Sequence, residues 1–158
     1  MPTVITAERP DTPDAQQLIA ELEAALAPLY PATSRHGYSV DKLIRSGVAF
    51  FVIRQEGQPA GCGGVQLFGG EYAEVKRMFV RPRYRGLGLA RQMLDHLAAH
   101  ARAAGIGLLR LETGIHQADA IRLYENYGFG RTSPFGEYQP DPNSVFFEKR
   151  LEAPGRQP

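Results

Sequence analysis

Cysteine is almost absent from this chain of 158 residues: Cys62 stands alone, so no internal disulfide can form. The chain also lacks an apolar run of membrane-spanning length and an N-terminal segment with the basic start and apolar stretch of a signal peptide. A soluble cytoplasmic protein with no membrane partner is the expectation. Net charge is nearly absent too. Its formal value of +1 argues against the generally cationic surface that non-specific nucleic-acid binding requires, so no nucleic-acid partner is expected. There is no internal repeat, and no Gly-Lys-Ser/Thr ending of a Walker loop. His36, His96, His100 and His116 lack metal-ligand spacing with Cys62, and no metal site is expected. His96 and His100 read as a solvent-facing pair on a helix. Cys62 reads as a small buried hydrophobe rather than a nucleophile.

What is present suffices for one core. With 43% hydrophobic residues, a chain of this size is expected to form one domain over residues 1–152, with a frayed tail over 153–158. Val4 to Glu8 alternates as a strand. Thr12 precedes Pro13 as a cap precedes the first helical residue, and Leu18, Ile19, Leu22, Ala25, Leu26 and Leu29 form an apolar stripe, with the helix ending near Pro28 or Tyr30. Tyr30 to Tyr38 is loop, and Ser39 caps a short helix from Val40 to Arg45 before Gly47. Val48 to Arg54 and Ala60 to Leu67 form a hairpin through Gln55-Glu56-Gly57-Gln58-Pro59, which has the glycine such a turn requires, and Tyr72 to Val80 returns beside them. Leu108 to Thr113 is a buried strand, Gln117 to Phe129 a short helix stopped by Gly128, and Phe135 and Val145 to Leu151 the final strand material, separated by the loop Gln139 to Asn143.

Val75 to Ala104 organises the rest. A strand stops at Pro82, which has no N–H for a ladder, and a helix follows whose face is set by Ala90, Met93, Leu94, Leu97, Ala98 and Ala101. Between them Gly86 and Gly88 let backbone N–H groups approach a ligand at a helix N-terminus, a place that favours phosphate. Lys76, Arg77, Arg81, Arg83, Arg85 and Arg91 surround this turn with no acidic residue before Asp95, so the turn reads as a polyanion site. A dinucleotide fingerprint does not fit, because Arg91 stands where a third glycine belongs.

Arg83-x-x-Gly86-x-Gly88 resembles the pyrophosphate-binding motif of the GCN5-related N-acetyltransferases (GNAT family). A second block, Ala120-x-x-Leu123-Tyr124-x-x-x-Gly128-Phe129, resembles another signature of that family, in the same order and spacing. The resemblance is firm from Ala73 to Phe129. It implies a single-domain α/β fold: a mixed, mostly antiparallel twisted sheet flanked by helices and opened between its central parallel strands. It implies acetyl-CoA as cosubstrate, with Arg83, Arg85, Gly86, Leu87, Gly88 and Leu89 on the pyrophosphate. The backbone of Met78, Phe79 and Val80 would pair with the pantetheine arm, and Gln117 would stand at a position often held by Asn.

The activity implied is direct transfer of an acetyl group to a primary amine of a small molecule, possible acceptors being an amino acid or related metabolite. Tyr124 matches the family's general acid, which protonates the departing thiolate. Glu74 matches a catalytic glutamate that removes a proton from the amine, with Glu112 the reserve. The loop Tyr30 to Tyr38 would face the acceptor, with Arg35 binding its carboxylate and Tyr38 and Glu112 lining the site. The alternatives are a non-catalytic acyl-CoA-binding module or sensor, and acetylation of a protein amine. Strand edges near the C-terminus make a homodimer plausible.

Overall fold

The computed structural model describes residues 2–152 and consists of a seven-stranded sheet with two helices on each face. The tail expected over 153–158 lies outside the described residues. In chain order the elements are β1 (Thr3–Ala7), α1 (Pro13–Leu26), α2 (Val40–Arg45), β2 (Ala49–Gln55), β3 (Gln58–Phe68), β4 (Tyr72–Val80), α3 (Leu89–Ala103), β5 (Leu108–Gly114), α4 (Ala118–Tyr127), β6 (Gly130–Thr132) and β7 (Ser144–Arg150). The strand order is β1-β2-β3-β4-β5-β7-β6. Only β4 and β5 run parallel, joined through α3 as a crossover connection.

Local chemistry explains most boundaries. Thr12 accepts a hydrogen bond from the Ala15 amide and Ser39 one from the Lys42 amide, so both caps act as their sequences suggest. The β2–β3 turn has positive φ at both Glu56 (52°) and Gly57 (82°), the geometry of a tight two-residue hairpin. Helix α1 stops earlier than its apolar stripe suggests. Its last helical residue is Leu26, because Pro28 has no N–H to continue the ladder.

Residue alternation on β2 sorts the core. Phe50 and Val52 face α1 and α2, packing on Leu18, Leu22 and Leu43, whereas Phe51 and Ile53 face α3, packing among Met93, Leu94 and Leu97. Each such fully buried aliphatic side chain contributes roughly 1.5–3 kcal/mol. Two expectations fail at the C-terminal end. Phe135 is in no strand; it is buried in a loop against Tyr72 and Phe146. The outer strand is instead β6, three residues too short and too exposed to carry a pattern. His96 is also not solvent-facing, since its ring meets Phe51 edge-on at 4.5 Å, and burial pushes its pKa down.

Two irregularities open the sheet. Strands β4 and β5 pair only at Ala73 with Leu109 and Glu74 with Arg110, so β4 beyond Glu74 lacks a partner on that edge. Opposite β3, the register slips between Cys62 and Gly64, and Arg77 takes φ 52°, a left-handed conformation in mid-strand. The slip reverses the alternation. Glu74 and Lys76 face the α1 side, but so do the next residue, Arg77, and Phe79, while Met78 and Val80 turn toward α3.

Candidate active site

A cleft of about 110 Å³ lies where β4 and β5 part. Strand β4 supplies Glu74, Lys76 and Arg77, β5 supplies Glu112, and α4 supplies Tyr124. The loop after α1 adds Arg35 and His36, and the segment before β7 adds Tyr138. Asp141, further along that segment, bonds to His36 behind the cleft wall.

Glu74 and Lys76 form an ion pair at 2.9 Å with side chains only 3% and 5% exposed. The Tyr138 hydroxyl donates to the same Glu74 oxygen at 2.6 Å, and the Lys76 ammonium lies 3.8 Å from the centre of the Tyr38 ring. Burial pushes the Lys76 pKa down, partly offset by Glu74. Burial and the Glu74 charge together push the Tyr138 phenol up. Glu112 accepts a bond from the Ser144 hydroxyl at 2.7 Å, and its carboxyl is raised, chiefly by burial.

Tyr124 projects from α4 into this cleft with its ring packed on Phe129 and Phe147. Its hydroxyl is not among the buried unsatisfied polar atoms of the described residues and opens onto the cleft. Burial pushes its phenol well above the ordinary value, with the Glu112 charge adding to the shift. It is therefore neutral through the physiological range. Gln117 turns back on its own chain, accepting from the Gly114 amide at 3.1 Å. Tyr30, expected in a ligand-facing loop, is 5% exposed and accepts a bond from the His116 amide at 2.9 Å, which ties that loop to the β5–α4 turn.

The basic cluster divides. Lys76 is paired with Glu74, Arg77 with Glu23, and Arg81 with Glu21 at 2.8 Å, so three of the six cations are neutralised within the fold and do not serve the glycine turn. For Arg77 and Arg81 the compensating carboxylates are distant in sequence. Arg83, Arg85 and Arg91 remain near the turn, Arg83 over the Tyr84 ring and Arg91 over the Tyr127 ring. Arg85 Nε donates to the Val80 carbonyl at 2.9 Å, holding the turn against the end of β4.

Gly86 and Gly88 have φ values of 81° and 78°, and a Cβ at either would point into open space. Gly88 is the N-cap of the 15-residue α3 and provides no side-chain cap, and the first turn holds no acidic residue. The first helical amide to bond within α3 is Gln92, to the Gly88 carbonyl at 3.1 Å. The amides of Leu89, Ala90 and Arg91 thus have no helical partner and face the turn with the positive end of the helix dipole. This exposed cradle fits a phosphate-bearing ligand.

Residues 15–129 match the profile of the Acetyltransferase (GNAT) family. The chain belongs to that family. It is an acetyltransferase by this membership and by its relatives. An IAA acetyltransferase from Azospirillum brasilense is 45% identical over 96% of this chain and 100% of its own length. A solved structure from Klebsiella pneumoniae, described as a candidate acyl-CoA N-acyltransferase, superposes with TM-score 0.81 at 36% identity, covering 95% of this chain and 98% of that one. The N-acetyltransferase PaiA from Thermoplasma acidophilum, solved with coenzyme A, shares the fold with TM-score 0.74 at 19% identity, over 96% of this chain and all of its own.

The GNAT sheet thus gathers Tyr124, Glu74, Glu112 and Arg35 at one cleft and sets Arg83 to Leu89 apart at the glycine turn. Sequence reading missed Lys76, Arg77, Tyr138 and Asp141 as parts of the cleft and its wall, and reached His36 only as a member of the Tyr30 to Tyr38 loop. One signal was available: Gly61-Cys62-Gly63-Gly64 in mid-strand marks a close approach, and the bulge it faces, in β4, turns Arg77 inward.

Proposed function

We propose that this GNAT acetyltransferase moves an acetyl group from acetyl-CoA directly to the primary amine of a small, carboxylate-bearing acceptor of the amino-acid class. The observation that carries the acceptor half is a pair of guanidinium groups in the cleft. Arg35 and Arg77 both line it, and both approach Glu23, Arg77 closely and Arg35 at 3.9 Å. One carboxylate thus faces two cations. Each arginine also has a buried Nε without a hydrogen-bond partner among the described residues. Two guanidinium groups that share one carboxylate are suited to a carboxylate oxygen pair.

The unpaired edge of β4 beyond Glu74 supports a pantetheine arm added as a further strand along Met78 to Val80. Gly86 to Leu89 and the α3 amides would take the pyrophosphate, assisted by Arg83 and Arg85. The acyl carbon then stands near Tyr124, whose neutral phenol supplies a proton as the C–S bond breaks. Glu112, the cleft carboxylate in no ion pair among the described residues, would draw in the acceptor's ammonium. Glu74, occupied by Lys76 and Tyr138, is less suited to receive a proton itself.

The test is thiol release from acetyl-CoA with the standard L-amino acids, their methyl esters and short alkyl amines, followed by product mass. Free amino acids are expected to be preferred. Arg35→Ala should raise the KM of the acceptor about ten-fold or more and leave the KM of acetyl-CoA unchanged, as loss of one ground-state contact does. Equal use of esters, or unchanged acceptor kinetics, would exclude carboxylate recognition.

A further inference from the structure

The proton that leaves the acceptor's ammonium needs a destination, and both cleft carboxylates are engaged, Glu74 by Lys76 and Tyr138, and Glu112 by Ser144. A third group stands among them. His36 lines the cleft, and its Nε2 lies 3.0 Å from Asp141 Oδ2. Asp141 is itself fixed: its other oxygen accepts from the Asn143 amide at 2.8 Å and the Ser34 hydroxyl at 3.1 Å, and Asn143 Nδ2 donates to Ser34 at 3.1 Å. These bonds, the Asn143 amide foremost, hold Asp141 below the usual carboxylate range, so it is an anion at any working pH. An anionic carboxylate can only accept, so Nε2 carries the hydrogen, and the neutral ring has its lone pair on Nδ1.

We propose that His36, oriented by Asp141, is the general base that deprotonates the acceptor amine. This rests on the N-acetyltransferase reading above. In the reaction the ammonium gives one proton to Nδ1, and the neutral amine attacks the thioester carbonyl. The nitrogen of the resulting adduct loses a second proton as the C–S bond breaks. One proton ends on the thiolate through Tyr124 and the other leaves to solvent, so one proton is released per acetyl transferred. Asp141 acts through His36 and is a positioning residue. It fixes the tautomer and stabilises the imidazolium, as a carboxylate does behind a catalytic histidine.

The charged surroundings of the ring favour this role. Asp141 faces it from the loop before β7 and Glu112 from β5, where the two interact electrostatically. The Tyr138 ring meets it edge-on at 5.7 Å and carries the contact onward to Glu74 and Lys76 on β4. On its own loop the neighbouring cation is Arg35, partly offset by Glu23 of α1. Anions thus predominate nearest the ring.

The experiment is the pH dependence of kcat/KM for the amine that gives the fastest thiol release with the parent enzyme, compared in His36→Gln, Asp141→Asn and Glu112→Gln. Should that amine carry no carboxylate, the amino-acid reading fails and this test still stands. The parent should lose activity below an ionisation in the imidazole range. His36→Gln, which can still donate to Asp141, should remove that limb and lower the neutral-pH rate roughly ten- to a thousand-fold with the KM of acetyl-CoA preserved. Asp141→Asn should move the limb to lower pH, because the anion that stabilises imidazolium is gone. Glu112→Gln should keep the limb. Nitrogen NMR of the free enzyme gives a second readout, in which the His36 ring titrates and its midpoint falls in Asp141→Asn. A limb that persists in His36→Gln and vanishes in Glu112→Gln overturns the proposal, as does a His36 titration indifferent to Asp141→Asn.

Discussion

Tyr124→Phe separates chemistry from folding cleanly in this protein. The ring keeps its contacts with Phe129 and Phe147, and the hydroxyl it loses opens onto the cleft rather than into the core. Stability should therefore change by less than about 1 kcal/mol. What disappears is the proton donor. General-acid catalysis contributes about 10²–10⁴-fold at best, and a phenol raised by burial donates less readily, so a loss in kcat of roughly ten- to a thousand-fold is expected. That corresponds to about 1.4–4 kcal/mol in the barrier. Because burial shifts the phenol upward, it stays protonated below its ordinary value of about 10, and the deficit should be constant with pH from neutral to mildly alkaline conditions. Steady-state thiol release between pH 7 and 9, with calorimetric CoA affinity as control, measures it. Turnover within twofold of the parent would refute the assignment, and a deficit that shrinks as pH rises would mean that the phenol is already ionised.

Gly88→Glu would place a carboxylate at the α3 N-terminus and strain a backbone at φ 78°, so CoA affinity by calorimetry should fall at least ten-fold in a folded protein; unchanged affinity would show that the cradle is elsewhere. Glu74→Gln leaves the Lys76 ammonium buried without its anion and should lower stability by about 3–5 kcal/mol, read as a drop in denaturation midpoint. Gly114→Ala would put a methyl group 1.9 Å from the buried Tyr30 hydroxyl, displacing the ring and its bond to the His116 amide; a loss of about 1–3 kcal/mol is expected, whereas Gly107→Ala, in open space, should be near neutral by the same thermal measurement. Cys62, 1% exposed with its thiol pushed up to about 12, should resist alkylation at neutral pH until the protein is unfolded.

Much of this molecule was legible before folding was considered, because its signals are local. Thr12, Ser39 and Gly128 mark helix ends through groups one to three residues away, the apolar stripe of α3 follows from a fixed period, and Gly86 and Gly88 announce a turn by the φ values only glycine adopts freely. Two motifs in family order sufficed for the sheet, its opening and the acetyltransferase activity. The neutralisation of Lys76, Arg77 and Arg81 was not legible, since two of their partners, Glu21 and Glu23, lie on α1, more than fifty residues away in sequence. The wall around His36 was equally hidden. Asp141 stands 105 residues beyond it, and only the return of β7 beside β5 carries that loop to the cleft. Periodicity fixes which face a residue occupies on its own element; which charges meet across elements is decided by the packing of the whole sheet.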